Sequence, residues 1–352
     1  MITARNLART FTTRSGPVEA VRGVDIDVAE GEIVGLLGPN GAGKTTTLRM
    51  LTTLLGATGG EATVAGHDLR RDPRGVRSSI GYVAQGGASL DEAVVIEELV
   101  LQARLFGLSK TAALVNAEEL VTTFGLRDLR QRACKQLSGG QRRRVDISLG
   151  LVHRPRLIFL DEPTTGLDPQ SRTNLWEHIR KLRAGGVTIV LTTHYLDEAD
   201  ALCDRVLVMD QGTIVAEGSP DELKQRITGD IVTIELAGTE HVDLHDEHTL
   251  HDDTFDEGAQ PGRPKLHSRT DDVVQVARAA VDVRSTLVEH HRIHVTVDRG
   301  DQSIIPLLRA LDAAGINIAA ITMKRPSLDD VFLTVTGRSL SDAEQDVAPA
   351  AA

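Results

Sequence analysis

The sequence predicts an α/β chain in two parts: a mostly parallel sheet covered on both faces and carrying a helical insertion, then a small α+β domain. Three observations carry that prediction. Short aliphatic runs recur up to about residue 225, a glycine-rich turn follows the first of them, and beyond about residue 226 the apolar residues alternate instead. Val34–Leu37, Leu157–Leu160 and Thr188–Leu191 are short, largely apolar runs bounded by Gly, Pro or charge. That is the pattern of strands buried on both faces. Helical stretches start from Gly43 and from Leu196, directly after two of these runs, so ligands are expected at the C-terminal ends of the strands. Between about residues 86 and 154 the aliphatic runs stop and the pattern turns helical, which reads as an inserted subdomain.

In the second part, Ile231–Leu236 and His291–Val297 alternate like half-buried strands. Ser303–Ala314 reads as a helix with Pro306 in its first turn and Gly315 as its stop, and Ile318–Ile321 as a further strand. The boundaries read as 1–225, 226–340 for the accessory domain, and 341–352 for a tail. Residues 240–257 hold eight acidic residues and four histidines with no Lys or Arg, marking a solvated insertion that runs to about residue 270. His241, His245, His248 and His251 have helix-compatible spacing, which leaves weak metal binding as the alternative reading.

Composition narrows the class. Of 352 residues, 41% are hydrophobic and 25% charged, as in an ordinary soluble globular protein. A net charge of −11 argues against a nucleic-acid binder that relies on a broad basic surface. Cys134 and Cys203 lack metal-ligand spacing and read as reduced thiols of a cytoplasmic protein. The start of the chain leads into no apolar signal segment, and no run of apolar residues is long enough to span a bilayer.

The strongest chemical signal is Gly38-Pro39-Asn40-Gly41-Ala42-Gly43-Lys44-Thr45, followed by Thr46, between a predicted strand and a predicted helix. It matches the phosphate-binding loop G-x-x-x-x-G-K-[ST]. Glycines let backbone N–H groups turn toward phosphate oxygens, and the helix start adds a positive dipole end. In such a loop Lys44 reaches the β- and γ-phosphates of ATP and the Thr45 hydroxyl ligates Mg²⁺. Leu157-Ile158-Phe159-Leu160-Asp161-Glu162 ends an apolar strand in two acids. Alone, it could be a buried strand whose acids face solvent. Beside a phosphate loop, Asp161 reads as a Mg²⁺ ligand and Glu162 as the group that orients and polarises the attacking water.

The third motif, Leu137-Ser138-Gly139-Gly140-Gln141, precedes an Arg-rich helical stretch and makes a second phosphate cradle. With it, residues 1–225 resemble the ABC ATPases, whose signature is this pentapeptide. The resemblance implies a P-loop NTPase fold with an ABC nucleotide-binding domain. It also implies a head-to-tail homodimer in which Ser138, Gly139, Gly140 and Gln141 serve the ATP held by the other copy. By the same resemblance Phe11 stands where an aromatic ring stacks on adenine, with core packing as the alternative. Gln85 matches the glutamine that touches Mg²⁺ or water and faces the membrane subunit. Asp168, in Gly166-Leu167-Asp168, matches the loop that communicates across the dimer, and His194 matches the histidine that contacts the γ-phosphate.

Arg325-Pro326-Ser327-Leu328-Asp329-Asp330-Val331-Phe332, with Gly337-Arg338 beyond it, resembles the end of exporter ATPases of the daunorubicin-resistance type. That resemblance implies an ATPase at the cytoplasmic face of the membrane, working with a separate permease to export a drug, polyketide or lipid. An importer ATPase with a C-terminal regulatory domain is the alternative. Ribosome-acting ABC proteins usually carry two cassettes in one chain, whereas this sequence has one phosphate loop and one signature. DNA-repair ABC ATPases need long coiled coils, and no sustained heptads lie between Lys44 and Ser138.

Overall fold

The computed structural model describes residues 1–14, 16–226, 229–236, 266–289, 292–324 and 327–337. The chain opens with two long antiparallel strands, β1 (Ile2–Thr13) and β2 (Gly16–Val28), which bury roughly alternate residues, Ile2, Ala4 and Leu7 against Val24, Ile26 and Val28. β3 (Ile33–Leu37) is buried at every position and leads through the glycine turn into α1 (Lys44–Leu51). β4 (Gly59–Val64) and β5 (His67–Asp68) return to the first strands, giving an antiparallel sheet ordered β2-β1-β4-β5. Leu48 and Met50 of α1 share one core with Ile2, Ile26 and Val64 of this sheet and with Val34 and Phe159 of the next.

α2 (Pro73–Ser79) starts at Asp72, whose carboxylate accepts from Gly75 N at 2.9 Å, and has Pro73 in its first turn, where a missing N–H costs nothing. It delivers β6 (Ile80–Val83). The insertion follows as α3 (Val95–Leu105), α4 (Lys110–Thr123) and α5 (Gly139–Leu151), with no strand between them among the described residues. The main sheet resumes with β7 (Leu157–Asp161), α6 (Pro169–Ala184), β8 (Thr188–Thr193), α7 (Leu196–Leu202), β9 (Arg205–Asp210) and β10 (Thr213–Gly218). Its order is β10-β9-β3-β8-β7-β6, parallel except at the β10 edge. The register sets Leu37 beside Thr193 and Asp161 beside Thr192, so the C-terminal ends of β3, β8 and β7 lie in a row. That row is where an α/β sheet places its ligands.

After α8 (Pro220–Arg226), a second compact unit, Lys224–Ser327, holds β11 (Asp230–Leu236), α9 (Leu266–Ala280), β12 (Val283–Glu289), β13 (Arg292–Val297), α10 (Gly300–Ala313) and β14 (Ile318–Lys324). Its antiparallel sheet runs β12-β13-β11-β14, and Val232, Ile234, Ile293 and Val295 pack against Val273, Ala277, Leu307 and Leu311 of the two helices. α10 begins three residues before the expected Ser303, because Asp230 Oδ2 accepts from Gly300 N at 2.8 Å, which leaves Pro306 inside the helix. α11 (Leu328–Thr336) does not belong to this unit. It groups with Met1–Leu223 and packs on α7 and β10, so the boundary differs from a single accessory stretch over 226–340. Residues 240–265 of the acidic, histidine-rich stretch, the tail, and Arg325, Pro326 and Arg338 of the C-terminal motif lie outside the described residues, whereas residues 266–270, expected to close the insertion, open α9 instead.

Candidate functional site

The glycine turn after β3 is built for close backbone approach. A Cβ on Gly38 would lie 2.2 Å from Met209 O, and one on Gly43 would lie 2.6 Å from Ala20 O. Gly41 and Gly43 take φ of 81° and 103°, conformations open to glycine at little steric cost. The buried Lys44 donates from Nζ to Gly38 O at 2.6 Å and Pro39 O at 2.9 Å. Asn40 is exposed, Ala42 is buried, and Thr46 is half-buried on α1.

Opposite the loop, β7 and β8 present their ends. Thr45 Oγ1 and Thr192 Oγ1 both donate to Asp161 Oδ1, at 2.9 and 2.6 Å. Asp161 Oδ2 is buried and has no protein partner. A carboxylate oxygen left open beside a hydroxyl and near a phosphate loop is the oxygen donor set of a hard divalent cation, so Thr45 and Asp161 fit Mg²⁺.

Glu162 is the convergence point. Its backbone takes φ 44°, a left-handed conformation that is uncommon for a residue with a side chain and that concentrates at functional positions. Its N–H donates to Thr192 O at 3.2 Å and Thr192 Oγ1 at 3.0 Å. Oε2 accepts from Gln85 Nε2 at 2.8 Å and from Thr165 Oγ1 at 3.0 Å, while Oε1 faces Lys44 Nζ at 3.9 Å and His194 Nδ1 at 3.4 Å. The His194 ring, and then the Lys44 charge and the Thr165 hydroxyl, hold this carboxyl below the usual glutamate range against the opposing effect of burial. His194 in turn leans on the Tyr195 ring, with centroids 4.1 Å apart, and the Arg172 guanidinium lies 4.1 Å over the outer ring.

The structure thus gathers Lys44, Thr45, Gln85, Asp161, Glu162 and His194 into one cluster. Other expected site residues stand elsewhere. Ser138 caps α5: its side chain accepts from Gln141 N at 3.3 Å and Gln141 Oε1 accepts from Ser138 N at 3.0 Å. Both of these bonds stay within the Ser138–Gln141 turn. Gly139 and Gly140 face the α6 entry instead; a Cβ on Gly140 would meet Ser171 Cβ and Oγ at 2.8 Å. Asp168 caps α6, accepting from Ser171 N at 2.9 Å. Phe11 sits half-buried on β1 under the Arg9 guanidinium, 4.6 Å from the ring centroid.

Sequence reasoning did not find Thr192, Thr165 or Arg143. Thr192 has a legible signal, a hydroxyl two residues before His194 at a strand end. Thr165 has none. Arg143 is one of three successive arginines in the Arg-rich helical stretch, and nothing in that run singles it out, yet it is buried. Both cysteines are free and buried; burial and Glu98 push the Cys134 thiol up to about 12, so it is chemically quiet.

The sequence profile described as ABC transporter matches residues 21–165. Along 96% of both chains, the sequence is 40% identical to the daunorubicin resistance ATP-binding protein DrrA2 of Streptomyces coeruleorubidus. This chain is an ABC transporter ATP-binding protein of the daunorubicin/doxorubicin-resistance type. A doxorubicin resistance ATP-binding protein of Mycobacterium tuberculosis shares 40% identity over 92% of this chain and 91% of its own. Among solved structures, an ATP-binding cassette, MJ0796, described as dimeric and bound to ADP and Pi after hydrolysis, superposes with a TM-score of 0.58. It shares 26% identity and covers 62% of this chain and 98% of its own. As an ABC ATPase, this chain couples ATP hydrolysis to transport.

Proposed function

We propose that the chain is the motor subunit of a drug-resistance exporter, hydrolysing MgATP between two head-to-tail copies of itself at the cytoplasmic face of the membrane. The observation that carries this reading is Glu162. One carboxylate, kept ionised by its neighbours, is oriented by Gln85 and Thr165 while facing Lys44 and His194. Phosphoryl transfer to water needs positioning and charge stabilisation more than covalent chemistry, and this cluster is suited to both.

In this mechanism the Gly38–Thr46 turn cradles the phosphates with its N–H groups, and Lys44 neutralises charge on the β- and γ-phosphates. Thr45 and Asp161, with Gln85, would hold Mg²⁺, which supplies charge neutralisation across the phosphate oxygens. Glu162 orients and polarises the attacking water, and His194 contacts the γ-phosphate. The Ser138–Gln141 turn points its helix-start N–H groups at the ATP of the second copy, and Asp168 lies at the same seam. Its capping box leaves the turn preformed, which lowers the ordering cost of closing the dimer. Phe11 is the candidate to stack on adenine.

A separate permease is the partner, since among the described residues no helix is long and apolar enough to cross a membrane. The docking face in this reading is a 210 Å³ cleft lined by Tyr82, Ala88, Gln102 and Phe106, beside Leu101 and Leu105, which are 55% and 73% exposed on α3. The two exposed leucines, one turn apart on α3, support that reading. Relatives named for daunorubicin and doxorubicin resistance, and a linearmycin resistance ATP-binding protein of Bacillus subtilis that is 31% identical, support a drug as cargo.

The test is light scattering on Glu162→Gln with and without MgATP. A shift from monomer to dimer with ATP is expected, together with loss of turnover. A variant that hydrolyses ATP like the parent and stays monomeric overturns the assignment.

A further inference from the structure

Arg143 lies on α5, one turn past the Ser138–Gln141 start, and is 6% exposed. A buried guanidinium ordinarily faces a carboxylate; this one faces main chain. Nε donates to Pro163 O at 2.8 Å, and Nη2 to Asp161 O at 2.9 Å and Glu162 O at 3.3 Å. Nη1 donates to Ala84 O at 2.7 Å and, at the outer limit, to Gln85 O at 3.5 Å. Each of its nitrogens is engaged, and the planar fork can serve carbonyls in several directions at once.

Three consecutive carbonyls, from Asp161, Glu162 and Pro163, turn toward this one cation. An extended strand points successive carbonyls to opposite sides, so the convergence requires the left-handed turn that Glu162 makes at φ 44°. The cation and the uncommon backbone conformation therefore support each other. The same fork holds the carbonyl side of the Gln85 segment. Asp146, one turn further along α5, holds its amide side by accepting from Ala88 N at 3.0 Å and Ser89 N at 2.9 Å. Gly87 suits the turn there, since its φ is 78° and a Cβ would lie 2.6 Å from Asp146 Oδ2.

We propose that Arg143 is a positioning residue for ATP hydrolysis: it sets the backbone of Glu162 and of Gln85 so that Gln85 Nε2 meets Glu162 Oε2, and it fixes both to the helix that begins at Ser138. The proposal rests on the roles given above to Glu162 and Gln85. It makes α5 a rigid arm, with one end aimed at the second copy's ATP and the other holding the water-orienting carboxylate of its own.

The test compares the full chain with Arg143→Lys and Arg143→Gln, measuring MgATP turnover, KM, binding of a fluorescent ATP analogue, and melting temperature. A lysine supplies charge and one or two of the hydrogen bonds but cannot span the fork. For Arg143→Lys, kcat should fall at least about tenfold, the scale of one lost charge-assisted hydrogen bond, while KM and analogue affinity stay within about threefold. Arg143→Gln should lose more turnover with ATP binding still retained. Unchanged turnover in Arg143→Lys overturns the proposal. So does a joint fall of turnover, ATP affinity and melting temperature in both variants, which would make Arg143 only a fold residue. A parent chain without ATPase activity would instead overturn the function proposed for the cluster.

Discussion

Two buried glutamates titrate in opposite directions, and the difference is set by what surrounds each. Glu162 has cations and donors about it, which lower its pKa; Glu198, on α7, is fully buried with Trp176 Nε1 at 3.1 Å. Burial pushes the Glu198 carboxyl up, and the hydroxyls of Thr193 and Thr164 and the Trp176 N–H offset only part of that. A carboxyl raised on folding weakens the fold as pH climbs from the usual glutamate range through its raised value, whereas a lowered one weakens the fold as pH falls. Glu198→Gln should therefore gain melting temperature relative to the parent at pH 8.5 and lose that advantage at pH 5. Melts at both pH values decide it; a difference that ignores pH would show that folding does not raise the Glu198 carboxyl. Thr192→Val keeps the shape of the side chain and removes the hydroxyl that bonds both Asp161 Oδ1 and Glu162 N. It should cost about 1–3 kcal/mol of stability and cut turnover by more than about tenfold, because a buried acceptor and a buried donor are both affected. A melt and a steady-state assay on one preparation would show whether the two losses occur together. At this scale the cluster was legible wherever a residue type repeats a motif, as at Lys44, Asp161 and His194. It was illegible at Arg143, whose burial depends on carbonyls that no side-chain pattern records.

Elements were readable in proportion to their burial. β3, β7 and β8 are buried at every position and stood out as aliphatic runs, though each extends one or two residues past the stretch the sequence marked. β1 and β2 carry charges on exposed faces and have register shifts after Ala4 and Leu7, so their alternation breaks before a period can be counted. α10 was foreseen but not its start, since the cap is a long-range contact from Asp230. The start of α5 shows how an element's end can be fixed from outside. Gly140 abuts Ser171, and the neighbour's closest atoms include Cβ, which cannot swing away as a long side chain could. Gly140→Ala should push α5 from the α6 entry and lower turnover at least about tenfold, while ATP still binds the Lys44 loop with little change. Analogue titration beside a turnover assay separates the two effects. Wild-type turnover would mean that α5 and α6 part without consequence.

On the scale of the whole molecule, the most informative element is the last described helix. α11 follows the accessory sheet in sequence but groups with the nucleotide-binding unit, where Leu328, Val331 and Phe332 are buried and the helix packs on α7 and β10. α7 directly follows His194, so a C-terminal segment braces an element next to the candidate site. The sequence pointed to this stretch through its resemblance to exporter ATPases but gave no reason to place it on the cassette. Local pattern shows that a helix has an apolar face, not which surface that face meets. If α11 is part of the cassette, removing the fully buried Phe332 side chain should weaken the nucleotide-binding unit itself. For Phe332→Ala the expected loss is about 3–5 kcal/mol, the range for deleting a buried aromatic ring. The melting transition that ATP stabilises is the one to follow, because ligand binding raises the stability only of the unit that binds it. A lowered ATP-sensitive transition is expected. If that transition holds while an ATP-insensitive one falls, Phe332 belongs energetically to the accessory unit, and the helix's place on α7 contributes little to the stability of the cassette.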